Sequence, residues 1–190
     1  MIITISGPPG AGKTSAGKKL ADRLNYKFYS MGDLRGSMAR ERGLSLEQLN
    51  RIGESEDWTD LEVDSYQKRL GEIEDNFVLD GNLGFYFIPH SLKIFIEADQ
   101  RVAAERTLKD KTAGQRNDEK QTDDINGEIV LIRDRLESNI RRYRKYYGVD
   151  FMNGDNYDLV IDSTDMSPEQ VMEIILNHIN KINTEHFEEA

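Results

Sequence analysis

The stretch that most constrains the fold is Gly7-Pro8-Pro9-Gly10-Ala11-Gly12-Lys13-Thr14. It lies between the apolar run Ile2–Ser6 and a segment, Lys13–Leu24, in which Ala16, Leu20, Ala21 and Leu24 recur at helical spacing. A glycine, four residues and then Gly-Lys-Thr is the spacing of a phosphate-binding loop, and a strand before it with a helix after it is the context that loop needs. The glycines let the backbone curl until successive N–H groups point at phosphate oxygens. The helix N-terminus adds partial positive charge. The candidate ATP-binding residues are therefore Gly7, Pro8, Pro9, Gly10, Ala11, Gly12, Lys13, Thr14 and Ser15. Lys13 has the reach for the β- and γ-phosphates and is a candidate catalytic group, and the Thr14 hydroxyl is a candidate Mg²⁺ ligand.

The remainder of the chain alternates in the same way. Apolar or β-rich runs occur at Lys27–Ser30, Phe77–Asp80, Leu92–Glu97 and 157–161. Helical stretches are expected at 33–42, 45–54, 58–74, 99–109 and 125–147, and Ser167-Pro168 opens a last one with serine at the cap and proline at the first helical position. Ser45 with Gln48 three residues on has the capping-box spacing. The polar, turn-rich segment 110–124 reads as a loop, and 185–190 as a frayed tail. Strands alternating with helices imply an α/β fold, a five-stranded parallel sheet covered on both faces, with ligands at the carboxyl ends of the strands. No repeat or linker divides the 190 residues, so one domain is expected.

Composition removes several function classes. Without cysteine there is no disulfide framework, zinc–thiolate site or thiol nucleophile. That fits a reducing, cytoplasmic setting, which is the expected location. No apolar run approaches the ~20 residues needed to cross a bilayer. A net charge of −10 argues against nucleic acid as a partner. Charge is uneven, however: residues 101–145 carry twelve basic against nine acidic side chains. A monomer acting on small molecules is the expected state.

Asp80 closes an apolar strand, where an acid is placed to hold Mg²⁺, directly or through water. Arg135 and Arg142 are seven residues apart and so share one helical face, and Arg106 ends the helix before the 110–124 loop. Cations brought over a transferring phosphoryl group stabilise its spread negative charge, which makes these three arginines candidate catalytic groups.

Taken with "MGD" at 31–33, "VLDG" at 78–81, "ARERGLSLEQLN" at 39–50 and "RLESNIRRYRKYYGVD" at 135–150, the phosphate loop resembles that of the nucleoside monophosphate kinases. More narrowly, the chain resembles the short cytidylate kinases over about residues 1–180. The resemblance implies a P-loop nucleoside-monophosphate-kinase-like fold with a helical acceptor-binding insertion at about 33–74 and a lid at about 110–124. It implies transfer of the ATP γ-phosphoryl group to CMP or dCMP, giving ADP and the diphosphate, with ATP and Mg²⁺ required. The acceptor phosphate is already anionic, so no general base is needed. His90, His178 and His186 accordingly sit in no catalytic pattern. Asp33, Arg35, Gly81 and Asn82 would lie at the acceptor. Asp60, Asp64 and Gln67, spaced along one helix face, would approach its base; a carboxylate or amide oxygen accepts from the cytosine amino group. Trp58 and Tyr66 are expected to pack.

The chain departs from the family pattern at two acceptor positions. Gly36 stands where an arginine is common, with Arg35 one residue earlier, and Asn82 replaces the arginine of Asp-Gly-Arg. Asp110 replaces a common lid cation. These departures keep two other readings open: a kinase of another small acceptor, such as shikimate, and a nucleotide-binding protein with weak or lost transfer.

Overall fold

All five residues of β1 (Ile2–Ser6) are buried, as expected of a strand flanked on both sides and covered on both faces. The computed structural model describes residues 1–113, 122 and 124–188, with side chains to Thr184. β1 pairs in parallel with β3 (Phe77–Asp80) on one side and β4 (Leu92–Glu97) on the other. β2 (Lys27–Ser30) and β5 (Leu159–Asp162) form the edges, giving the order β2-β3-β1-β4-β5.

The side chains divide with the strand period of two. Ile3, Ile5, Val78, Ile94 and Ile96 face the layer of α1 (Lys13–Leu24) and α8 (Pro168–Glu188), against Leu20, Ala21, Val171 and Ile175. Ile2, Phe77 and Leu79 face the opposite layer, with Met38 and Ala39 of α2 (Met31–Glu41), Leu49 of α3 (Leu46–Gly53), Val63 and Leu70 of α4 (Trp58–Ile73), and Ile88 just past the short α5 (Gly84–Phe87). Phe95 joins Leu83, Phe85 and Phe151 beneath α7 (Ile125–Tyr147).

Strands, helices and sheet class agree with the pattern of the sequence, and the differences have local causes. α2 begins at Met31 because the Ser30 hydroxyl caps it, accepting from the Asp33 N–H. Ser45 and Gln48 form the expected reciprocal capping box on α3. β5 begins at Leu159, later than the apolar pattern suggests, because residues 154–156 make a 3-10 turn and Tyr157 turns inward to donate to the Phe151 carbonyl. α5 has four residues, too few to leave a periodic signal. α8 continues to Glu188 through most of the tail expected to fray, and residues 189–190 lie outside the described residues. Trp58 packs on the insertion core and stacks under Arg42, as a packing residue should.

The expected 110–124 loop is shortened from its start. α6 (Gln100–Thr112) carries through 110–112, and 114–121 and 123 lie outside the described residues. The helix continues because Lys111 points into the α6–α7 hairpin, where its ammonium donates to both Glu128 oxygens at 2.8 and 3.0 Å. The two side chains are 3% and 1% exposed. No helix of the described residues is long and apolar enough to cross a membrane.

Removing one member of a buried ion pair leaves the other charge without compensation. Lys111→Met is therefore expected to destabilise the protein by about 3–5 kcal/mol, lowering Tm by roughly 6–20 °C in a thermal melt. Adding Glu128→Met should recover most of that loss, since the pair is then replaced by apolar groups of similar size.

Candidate active site

The register delivers two groups to one point. Ile5 pairs with Asp80, so β1 and β3 end side by side and the phosphate-binding loop starts beside the acid. This is also where the strand order reverses, the place where an open α/β sheet binds ligands. The loop has its backbone in conformations that need glycine. Gly7 has φ 144° and Gly10 φ 80°. A Cβ on Gly7 would stand 2.0 Å from the Ile96 carbonyl oxygen, and one on Gly10 2.5 Å from that of Ala103. Gly12, left-handed at φ 87°, is the N-cap of α1 and supplies no side-chain acceptor, so the first N–H groups of α1 keep the orientation that favours an anion. Lys13 folds back over the loop and donates to the Pro8 carbonyl at 2.9 Å.

Beside the loop the Thr14 hydroxyl donates to Asp80 Oδ2 at 2.5 Å. These residues fit a hard cation: one hydroxyl and one carboxylate oxygen are already in contact at the loop. Among the described residues no cluster of three histidine, aspartate or glutamate side chains could hold a metal alone. Such a two-ligand site suits Mg²⁺, which keeps waters and takes phosphate oxygens. Asn82 also lies here. Its Oδ1 accepts from the Gly7 N–H at 3.4 Å, and its backbone carbonyl accepts from Ser6 Oγ, so it ties the end of β3 to the start of the loop.

Across the cavity from the loop lies a buried polar cluster. Arg35 donates from Nε to Asn50 Oδ1 (2.9 Å) and from Nη1 to the Thr59 carbonyl (2.7 Å) and Asp60 Oδ1 (3.1 Å). Arg142, 1% exposed, donates to the same Asn50 oxygen at 3.2 Å and to Asn139 Oδ1 at 2.7 Å. Its Nε lies 3.2 Å from Asp60 Oδ2. One carboxylate therefore faces two guanidinium groups. Burial and the charge of Arg142 both push the Arg35 pKa down, against the pull of Asp60. Where the sequence suggests a cation carried by a closing lid, the structure fixes Arg142 between α3, α4 and α7.

One helical turn along α4, Asp64 accepts from the Tyr147 hydroxyl and, at 2.7 Å, from Gln67 Nε2. Burial is the main influence on its carboxyl and raises the pKa to about 6, with Asp60 adding to the rise and the Tyr147 hydrogen bond opposing it.

Arg106 is placed differently from the sequence expectation. Its guanidinium donates to Ser163 Oγ and to the carbonyls of Ser163, Thr164 and Met166 at 2.8–3.2 Å, closing the turn between β5 and α8. Ser163 Oγ in turn donates to the Ala11 carbonyl at 2.9 Å, so this turn is fastened to the phosphate-binding loop. The Ser163 carbonyl also accepts from the Met166 N–H, and Arg106 adds donors to all three carbonyls of the turn.

Every residue nominated from the sequence except Pro8 lines one cavity of about 700 Å³. Asp33 lies at its exposed edge, and Arg135 approaches it from α7. The sequence reading missed Asn50, Thr59, Asn139, Tyr147 and Ser163. Ser163 could have been found by the rule that strand ends carry function, and Asn50 closes the "ARERGLSLEQLN" motif. Tyr147 lies 83 residues from Asp64 and leaves no local signal.

The raised Asp64 pKa has a definite sign for stability. The folded state holds this proton more tightly than the unfolded chain, so the contribution is full below about pH 4 and is lost as pH rises through about 6. Asp64→Asn is uncharged throughout and is expected to be more stable than the wild type by about 2–3 kcal/mol at pH 8. The difference should vanish near pH 4 in denaturant melts run across the range.

Comparison with known proteins bears directly on this site. The cytidylate kinase-like family matches residues 2–165. A cytidylate kinase of Archaeoglobus fulgidus is 35% identical over 180 residues, covering 94% of each chain. One of Methanobrevibacter smithii is 34% identical over 182 residues, covering 96% of this chain and all of the relative. In three dimensions the chain is similar to the shikimate kinase of Acinetobacter baumannii, with TM-score 0.60, 19% identity, and coverage of 95% of this chain and 93% of that one. That likeness concerns the fold. The match across nearly the full length, together with the phosphate-binding loop at the β1–β3 switch point, shows that the chain belongs to the cytidylate kinase-like family of nucleoside monophosphate kinases.

Proposed function

We propose that this enzyme transfers the γ-phosphoryl group of ATP to CMP or dCMP, releasing ADP and the corresponding diphosphate. The observation that carries the reading is the juxtaposition, in one cavity, of the phosphate-binding loop with its Thr14–Asp80 pair and the buried Arg35–Asp60–Arg142 cluster. One end suits a nucleoside triphosphate, and the other suits an acceptor that brings its own phosphate.

In this reading the loop N–H groups and Lys13 hold the β- and γ-phosphates of ATP. Thr14 and Asp80 would hold Mg²⁺, directly or through water, and the ion would supply positive charge beside the phosphates. Arg35 and Arg142 approach the acceptor phosphate, and Arg135 approaches the transferring group from α7. Their role is electrostatic, since the phosphoryl group in flight carries charge that preorganised cations stabilise without reorganising. The ribose side falls to Asp33, and the base to the α4 face of Asp60, Asp64 and Gln67. Asn82 and Arg106 are positioning groups: Asn82 sets the loop against β3, and Arg106 with Ser163 sets it against the β5–α8 turn. Arg35 supplies the charge that Asn82 lacks. Residues 1–190 act as a single kinase domain, with 33–74 as the acceptor-binding insertion and 110–124 as the lid. A cytoplasmic monomer suffices for this function.

Coupled ADP release measured across CMP, dCMP, UMP, AMP, GMP and shikimate tests the reading. Turnover should be largest with CMP or dCMP. Dominant use of a purine nucleotide or shikimate, or ATP binding without turnover on any acceptor, would refute it. Lys13→Ala should cut kcat by at least about 10²-fold, the scale seen when one such electrostatic contact is removed. Its circular dichroism and Tm should stay close to wild type, because the lost contact is to a phosphate and a loop carbonyl, not to the core.

A further inference from the structure

The far end of the cavity has an unusual hydrogen-bonding character. Asp64 and Gln67 both line it, beside Val63, Leu83 and Tyr143. Gln67 Nε2 is committed to Asp64 Oδ1, and Asp64 Oδ2 is held by the Tyr147 hydroxyl. An ionised carboxylate only accepts, so it fixes the Gln67 amide with its NH₂ inward. The consequence is that Gln67 Oε1, buried beside the cavity, has no hydrogen-bond partner in the fold. Buried polar atoms are rarely left unpaired, and an orphan in a binding cavity points to a ligand donor. One Gln67 N–H and the Tyr147 hydroxyl are both spent on Asp64. What remains is an acceptor pair.

We propose that Asp64 and Gln67 read the exocyclic amino group of the acceptor base, and that Tyr147 is the positioning residue that keeps this reader in its accepting state. The inference rests on the reading of the enzyme as a pyrimidine nucleotide kinase and deepens it. Cytosine presents an amino group with two N–H donors at the position where uracil presents a carbonyl oxygen. Against two acceptors, the uracil oxygen meets repulsion and leaves both unpaired, and a site of this kind rejects the analogue that lacks the donor.

The reader has a pH signature. The groups acting on Asp64 are Tyr147 and Tyr143 from α7, Gln67 and Asp60 from its own helix, and Arg35 from α2, with Arg142 of α7 beyond Asp60. With its pKa raised to about 6 by burial, Asp64 takes up a proton in mildly acid solution and gains a donor. A protonated Asp64 tolerates the uracil oxygen. Discrimination between CMP and UMP should therefore narrow as pH falls through about 6. The acceptor phosphate is common to both substrates, so its own titration cancels in the ratio.

The test is the ratio of kcat/KM for CMP to that for UMP, measured from pH 5 to 8 in the wild type, Tyr147→Phe and Gln67→Met. The wild type should prefer CMP, with a ratio that falls below about pH 6. Tyr147→Phe should lower the neutral-pH ratio roughly tenfold, the scale of one hydrogen bond, chiefly through KM for CMP. It should also move the pH midpoint upward, because the lost hydrogen bond favoured the charged carboxylate. A role in packing alone would not move that midpoint. Gln67→Met removes the acceptor and keeps the volume, so it should lower the ratio independently of Tyr147. A wild-type ratio near one or flat with pH, or ratios unchanged in both folded variants, overturns the inference while leaving the pyrimidine kinase reading in place. A wild type that turns over neither CMP nor UMP overturns that reading, and the inference with it.

Discussion

Two guanidinium groups are buried around one carboxylate, and the meeting of α2, α3, α4 and α7 is organised by that constraint. Asp60 on α4 faces Arg35 from α2 and Arg142 from α7. Asn50 of α3 gives its one amide oxygen to both. Four helices thus share one set of polar atoms, beside the apolar contacts that already join α2, α3 and α4. Like charges held this close repel, and burial of each costs solvation. An ionised carboxylate with two amide oxygens beside it offsets this and leaves a positive bias. Two guanidinium charges against one carboxylate leave a net positive charge, so the arrangement is better suited to a phosphate-bearing molecule than to a neutral one. The same cluster explains why the insertion is docked at all: Arg141, Lys145 and Tyr146 of α7 add bonds to Glu54 and to the carbonyls at the end of α3.

The ATP half is built on a different principle. Here backbone, not side-chain charge, sets the geometry. Gly7 and Gly10 come so near the Ile96 and Ala103 carbonyls that no other residue fits. Asn82 holds the loop from the β3 side, and Ser163 with Arg106 holds it from the β5 side. A loop fixed at both flanks keeps its N–H groups aimed without reorganisation when phosphate arrives, which is the condition for electrostatic stabilisation to act fully.

This difference decides what could be read from the sequence. A backbone-defined site has a dense local signature: GPPGAGKT, read with the strand before it and the helix after it, placed the loop, the metal-side threonine and, through β3, Asp80. The strands and the capping box were legible for the same reason, because period and turn chemistry act within a few residues. The acceptor site has no such signature. Arg35, Asn50, Asp60 and Arg142 are spread over more than a hundred residues and become one cluster only when α7 crosses the insertion. Arg106 shows the opposite case. Its charge and position read as catalytic, and it does line the cavity, but the bonds it makes in the fold are to the β5–α8 turn, which no local pattern announces.

Asn82 joins the end of β3 to the phosphate-binding loop. An arginine after Asp-Gly would bring a charge to the acceptor phosphate from the end of β3. A neutral amide at that place instead accepts from the Gly7 N–H and stiffens the phosphate-binding loop. On the proposed reading the cation comes instead from α2, where Arg35 is held by Asn50, Thr59 and Asp60. The position of the charge then depends on the insertion being docked against α7, because Asn50 and Asp60 are also the partners of Arg142. On the proposed reading, acceptor binding and the packing of α2, α3 and α4 against α7 are therefore linked in this chain through the same few atoms, whereas a strand-end arginine would leave them independent.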